Sequence, residues 1–230
     1  MWSIDELADT AAQAIERADR DAAQEHAVRG IDSLDETALH PILADGFSRA
    51  GLGVATERHY PSPPKRRPKT SERERCDLVL LPSPELALVD PSARADERDD
   101  IAGSLFASAT PADLEPEDAC WIEVKATGQF AARDGVPQPN ARYTTELVRA
   151  PAADIRKLAR DPRLAHAAVL IVLFAADEPT ARHDLAVAAH RWLDADLPVR
   201  SPVIRCVPID DRIGNAAAAI CLAPVRCGSL

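Results

Sequence analysis

Two short apolar segments carry charge where charge is costly. RCDLVLLP, 75–82, contains Asp77, and CWIEVKA, 120–126, contains Glu123 and Lys125. Both read as strands. Successive strand side chains point to opposite faces, so Glu123 and Lys125 share a face while Ile122 and Val124 face the other way. Charged groups inside such apolar strands are unfavourable unless something holds them. Two carboxylates and an ammonium on neighbouring strands can hold a divalent cation and a phosphate together.

Lys125 also stands out by composition. Of 27 basic residues only Lys65, Lys69, Lys125 and Lys157 are lysine; the rest are arginine. In an arginine-biased chain, a lysine inside an apolar strand points to a use for its compact, tunable ammonium.

The elements that must position these residues follow from periodicity. Residues 3–28 predict an Ala-rich helix with a stripe of Ile4, Leu7, Ala11 and Ile15. A second helix is predicted over 34–50, with Ser33 and Glu36 at capping-box spacing and Pro41 as a kink or as the helix start. Strands are predicted at 52–60, 76–81 and 120–126. A polar loop follows, then a helix at 151–160 and the apolar run AHAAVLIVLFA, 165–175, which reads as a strand covered on both faces. A helix at 179–193 and strands near 202–208 and 217–223 complete the chain. The order implies one α/β domain over 1–230, with a mixed sheet and helices on its faces. Residues 1–30 read as an N-terminal helical extension. Residues 82–118, with ten acids against two arginines, read as an acidic insertion between core strands.

Composition narrows the function classes. The net charge of −10 weighs against non-specific coating of nucleic acid, although a local basic patch (Lys65, Arg66, Arg67, Lys69, Arg73, Arg75) sits between two strands. No apolar run approaches the ~18–20 residues that span a bilayer. The N-terminus has no apolar signal-peptide core. The five cysteines show no CxxC spacing, which predicts core fillers in a reducing cytoplasm.

This arrangement resembles the PD-(D/E)XK nuclease superfamily, the restriction-endonuclease-like fold. The resemblance covers about 33–175 and implies an α-β-β-β-α-β core, with an extra N-terminal helix and a C-terminal α-β-β. Asp77 matches the family's first metal-binding acid, Glu123 and Lys125 its (D/E)XK element, and Glu36 the extra acid many members carry on the first core helix. Cys76 stands where the family name has proline, and Asp77 and Glu123 lie 46 residues apart, so the match requires 82–118 to be inserted between paired strands. The resemblance implies Mg²⁺ or Mn²⁺ bound by Asp77, Glu123 and the carbonyl of Val124. Lys125 would orient or help activate the attacking water and stabilise the phosphate. The expected activity is endo- or exonucleolytic hydrolysis of phosphodiesters, DNA before RNA, with a homodimer as one possible assembly.

Plainer readings stand beside these. Glu123 and Lys125 can form an ordinary ion pair, and Glu36 can be the N3 acid of a capping box. Glu57, Gln129, His40 and Lys157 are secondary candidates; a solvated face better explains Glu57 and Lys157, a partly exposed helical histidine better explains His40, and Gln129 lies where some nucleases place a polar phosphate contact. A second function is a nuclease-like module that binds nucleic acid or a protein partner without cutting. A third is a cytoplasmic α/β domain whose acids form structural ion pairs.

Overall fold

The computed structural model describes residues 2–62, 74–89, 112–133 and 136–228. Helix α1 spans Ile4–Gln24 and α2 spans Glu36–Arg49. The strands described are β1 Gly53–His59, β2 Arg75–Leu81, β3 Leu86–Leu88, β4 Ala112–Leu114 and β5 Cys120–Gly128, then β6 Phe130–Arg133, β7 Val136–Pro139, β8 His166–Ala175, β9 Val203–Pro208 and β10 Ala217–Val225. Helix α3, Ala150–Arg160, follows a π-helical turn at Thr145–Arg149, and α4, Glu178–Asp194, lies between β8 and β9.

Six strands form the central sheet in the order β1-β2-β5-β8-β10-β9. Only β5 and β8 run parallel; the other neighbours are antiparallel. A parallel pair needs a crossover, and α3 supplies it. The chain is thus a mixed α/β fold with helices on both faces of a mixed sheet.

Two apolar layers follow from the period of two along each strand. On one face, Leu7 and Ile15 of α1 and Leu39, Leu43 and Phe47 of α2 pack with Leu78, Ile122, Leu170 and Ile220. On the other, Ile155 and Leu158 of α3 and Leu185 and Trp192 of α4 pack with Val79, Trp121, Ile171 and Cys221. From Ala167 to Ala175, β8 is buried on both faces, as its continuous apolar run predicts. Helices α1 and α2 approach closely at Gly46, where an added Cβ would lie 2.5 Å from that of Ala14. Helix α1 is therefore integral to one core layer.

Helix α2 starts later than the sequence suggests. Asp35 is its N-cap, accepting a hydrogen bond from the Ala38 N–H at 2.8 Å. The Ser33 hydroxyl donates instead to the Gly30 carbonyl at 2.7 Å, closing a short 3₁₀ turn. Glu36 is thus the first helical residue, and no capping box engages it. Pro41 sits inside the helix and neither starts nor ends it.

Strands β2 and β5 are direct neighbours, so 82–118 leaves and rejoins the sheet between paired strands. Its described ends form a small parallel pair, β3 with β4. Residues 90–111, and Lys65, Arg66, Arg67, Lys69 and Arg73 of the basic patch, lie outside the described residues; Arg75 is exposed. The expected polar loop after β5 contains the β6–β7 hairpin, whose strands flank Asp134–Gly135, a dipeptide favoured in tight hairpin turns. Among the described residues no helix is long and apolar enough to cross a membrane.

Candidate functional site

The site begins where a ladder stops. Strands β2 and β5 pair from Leu80–Cys120 to Leu78–Ile122 and no further. Beyond that point the Asp77 carboxylate does the work of a backbone carbonyl: its Oδ2 accepts the Val124 N–H at 2.7 Å. On the other side, the β1–β2 register omits the pair Glu57–Asp77. Glu57 has φ +53°, a left-handed conformation unfavourable for a side-chain-bearing residue. Asp77 is therefore released from regular pairing on both sides.

Lys125 lies at this opening and reaches both helical layers. Its Nζ donates to Glu36 Oε1 of α2 at 2.9 Å and to the Val124 carbonyl at 2.7 Å. Asp154 Oδ2 of α3 lies 3.4 Å away. That oxygen is buried and makes no hydrogen bond of good geometry, so its contact with Lys125 is ionic.

Glu123 shares the strand face with Lys125, as alternation requires, but is enclosed by other partners. It is 3% exposed. Its Oε1 accepts the Tyr60 hydroxyl and lies 2.8 Å from Lys157 Nζ. Lys157 also sits 5.0 Å from the Tyr60 ring centroid and donates to the Arg75 carbonyl at 3.3 Å. Tyr60 is held by stacking on Trp121, with centroids 5.9 Å apart. Two residues on, Ser62 hydrogen-bonds Asp161 through both its backbone N–H and its hydroxyl, tying this segment to the end of α3.

A third grouping surrounds Asp77. One ligand atom each from Glu36, His40 and Asp77 lie within 4.8 Å of one another. His40, one turn after Glu36, is buried and its Nε2 has no hydrogen-bond partner; Nδ1 lies 3.9 Å from Glu57 Oε1.

The electrostatics follow from burial and crowding. Burial pushes the Glu123 carboxyl above the usual carboxylate range, and the charge of Asp77 adds to this against the pull of Lys157 and Tyr60. Asp154 is raised for the same first reason, with Lys125 opposing. For Lys125 burial acts downward, but Glu36, Asp154 and Asp77 outweigh it and hold the ammonium above its ordinary value. Lys125 is therefore a persistent cation here. The tunable, deprotonatable lysine expected from its strand setting is not what this neighbourhood favours. Lys157 is likewise raised, by Glu123 and Asp154.

The fold thus brings Glu36, Asp77, Glu123, Val124 and Lys125 to one end of the β2–β5 pair. Of the secondary candidates, His40 and Lys157 join them. Glu57 reaches His40 from β1. Gln129 does not join: its amide bridges the Ala176 N–H and Asp184, a structural task. Tyr60 and Asp154 went unnoticed in the sequence. Asp154 had a signal, since Pro151, Asp154, Ile155 and Leu158 follow the i, i+3, i+4, i+7 stripe of α3. An acid on a buried stripe deserves a partner. Tyr60 had none, because its partner Glu123 lies 63 residues away.

The cysteines are not nucleophiles for this site. Burial pushes the Cys120 and Cys221 thiols up to about 12, and Cys76 is also raised. A concavity of about 730 Å³, lined by Trp2, Leu7, Leu52, Pro82 and His166, lies beyond the other end of β2 from Asp77.

No protein-family model, curated protein or solved structure matches the chain.

Proposed function

We propose that this chain is a divalent-metal-dependent nuclease of the PD-(D/E)XK type, with a restriction-endonuclease-like fold, hydrolysing phosphodiester bonds in DNA. One observation carries the reading: Asp77 takes the Val124 N–H where the β2–β5 ladder opens, and Lys125, on the strand face it shares with Glu123, reaches from there to Glu36. The element order α2, β1, β2, β5, α3, β8 is also that of the resembled core.

The donor set suits a hard divalent ion. Asp77, Glu123, Glu36 and the Val124 carbonyl would hold it. His40 brings one ring nitrogen to these acids, and its buried Nε2 has no hydrogen-bond partner. A set of carboxylates with one imidazole suits Mn²⁺ at least as well as Mg²⁺. When bound, the ion would polarise the phosphate and lower the pKa of coordinated water.

The protein's own groups do the rest. Lys125, held as a cation, donates hydrogen bonds to phosphoryl oxygens as charge develops there and does not act as the base. Glu36 and Asp154 fix its ammonium from two sides of the sheet. Asp77 keeps the two strands apart while staying attached to β5.

A second reading has its own observation. Lys125 already engages the Val124 carbonyl, and Lys157 already engages Glu123. A nuclease-like module that binds nucleic acid or a protein partner without cutting would have its acids neutralised in this way. Cleavage assays on plasmid, linear duplex and single-stranded DNA with Mg²⁺, Mn²⁺ or EDTA separate the two. Metal-dependent cutting that is lost in Lys125→Ala is the expected result. A folded protein that cuts nothing with either metal leaves the non-cutting module as the function.

A further inference from the structure

We propose that Lys157 is a resident counter-ion of Glu123 which a divalent cation must displace, so that cation binding and release of an ammonium group are one exchange at the site. The exchange presupposes the cation site proposed above and adds a step to it.

Glu123 is almost wholly excluded from water, so its charge needs a partner within the protein. Lys157 provides it, at 2.8 Å, on the same oxygen that accepts the Tyr60 hydroxyl. The ammonium is further held by the Arg75 carbonyl and the face of Tyr60. A metal ligated by Glu123 would sit about 2 Å from a carboxylate oxygen. An ammonium and a divalent ion on one buried carboxylate repel at short range, where the protein screens poorly.

The two lysines differ in what holds them. Lys125 has two carboxylate partners, Glu36 and Asp154, on opposite faces of the sheet. It can lend one to a cation and keep the other. Lys157 has one carboxylate in direct contact among the described residues, Glu123, and that is the expected ligand; Asp154 and Glu74 act on it from further away. Its side chain is 23% exposed and its stem is flexible, so the ammonium can swing out toward solvent.

The chain has only four lysines, which makes the test direct. The folded protein is acetylated with an amine-specific reagent in Mn²⁺ or in EDTA, and each lysine is read by peptide mass spectrometry. Lys157 labelling should rise with Mn²⁺ while Lys125 stays protected. Glu123→Gln calibrates the readout, because it should expose Lys157 with no metal present. In parallel, Mn²⁺ is titrated calorimetrically into wild type and Lys157→Gln, which keeps a donor but loses the charge. By linkage, removing the competing ammonium should tighten Mn²⁺ binding about fivefold or more. Binding to Lys157→Gln alone would also support the exchange, as complete competition. Wild-type binding with unchanged Lys157 labelling, and no tighter binding by the variant, would overturn the exchange and leave the cation site standing. No binding by either folded protein would overturn both.

Discussion

Lys125 Nζ and Glu36 Oε1 are 2.9 Å apart, although the residues are separated by 89 positions in the chain. Lys125 lies on the sheet face that packs on α3, whereas Glu36 begins the helix covering the opposite face. The contact is made across the gap left where β2 and β5 stop pairing. The same ammonium also meets Asp154 of α3, so one side chain joins both helical layers at the candidate site.

Replacing Lys125 by alanine should cost cleavage about 10²–10³-fold, the typical loss when one preorganised donor to a developing charge is removed. Lys125→Arg should not restore it, because a planar guanidinium cannot occupy the compact position between Glu36, Asp154 and the Val124 carbonyl. Single-turnover rates on plasmid DNA check both. An arginine variant with wild-type rates would contradict the assigned geometry.

Asp77 has two tasks that substitutions can separate. Asparagine retains a carbonyl oxygen to accept the Val124 N–H, so Asp77→Asn should alter stability by less than about 1 kcal/mol. It should nevertheless weaken Mn²⁺ binding by at least the roughly 10–100-fold that loss of even an outer-shell partner costs. Asp77→Leu should lose both properties, with a further cost of about 1–3 kcal/mol for the unpaired N–H. Thermal denaturation and calorimetric titration of the two variants give the comparison. Equal metal affinity in Asp77→Asn and wild type would remove Asp77 from the ligand set.

Backbone strain at Glu57 can be isolated by comparing glycine with alanine there. Both substitutions remove the carboxylate, and only glycine accepts φ +53° without penalty. Glu57→Gly should be more stable than Glu57→Ala by about 1 kcal/mol. Chemical denaturation measures the difference, and equal midpoints with equal slopes would show that no strain is stored there.

A second pair of buried acids predicts the pH dependence of stability. Asp19 and Asp32 are both 7% exposed, and each has one buried oxygen with no hydrogen-bond partner. Burial raises both pKa values above the ordinary 3.8. A raised folded-state value means that the fold favours the protonated acid. The contribution to stability is fully present below about pH 3.8 and is lost as pH rises through the folded value. Asp32→Asn should keep the hydrogen bond from Asn215 and remove the buried charge. At pH 8 it should stabilise the protein by roughly 1–3 kcal/mol, with a smaller gain near pH 4. Denaturation curves across pH test this, and a variant less stable than wild type at pH 8 would show that the charge is compensated.

Much of the frame was legible in the sequence because strands and helices impose local periods. The run 165–175 announced a strand buried on both faces, and alternation in CWIEVKA placed Glu123 and Lys125 together. Asp77 was conspicuous because an acid in RCDLVLL has no local partner. The β6–β7 hairpin has a local turn signal in Asp134–Gly135, set within a stretch otherwise polar enough to read as a loop. The N-terminus of α2 was misplaced because Ser33 and Asp35 both have capping chemistry, and only the 3₁₀ turn at Ile31–Ser33 decides between them.

The sequence by itself determined the alternating faces, the two apolar layers and which charged residues could not be idle. Those are consequences of side-chain period and of the cost of burying charge, and both act within a few residues. The tertiary structure alone decided who neutralises whom. Glu36 meets Lys125, Lys157 and Tyr60 meet Glu123, and His40 is left facing Asp77 without a partner at Nε2. These pairings span tens of residues and lie where the β2–β5 ladder ends and the Asp77 carboxylate takes the Val124 N–H. No local pattern encodes that, because the interactions arise only when distant elements pack.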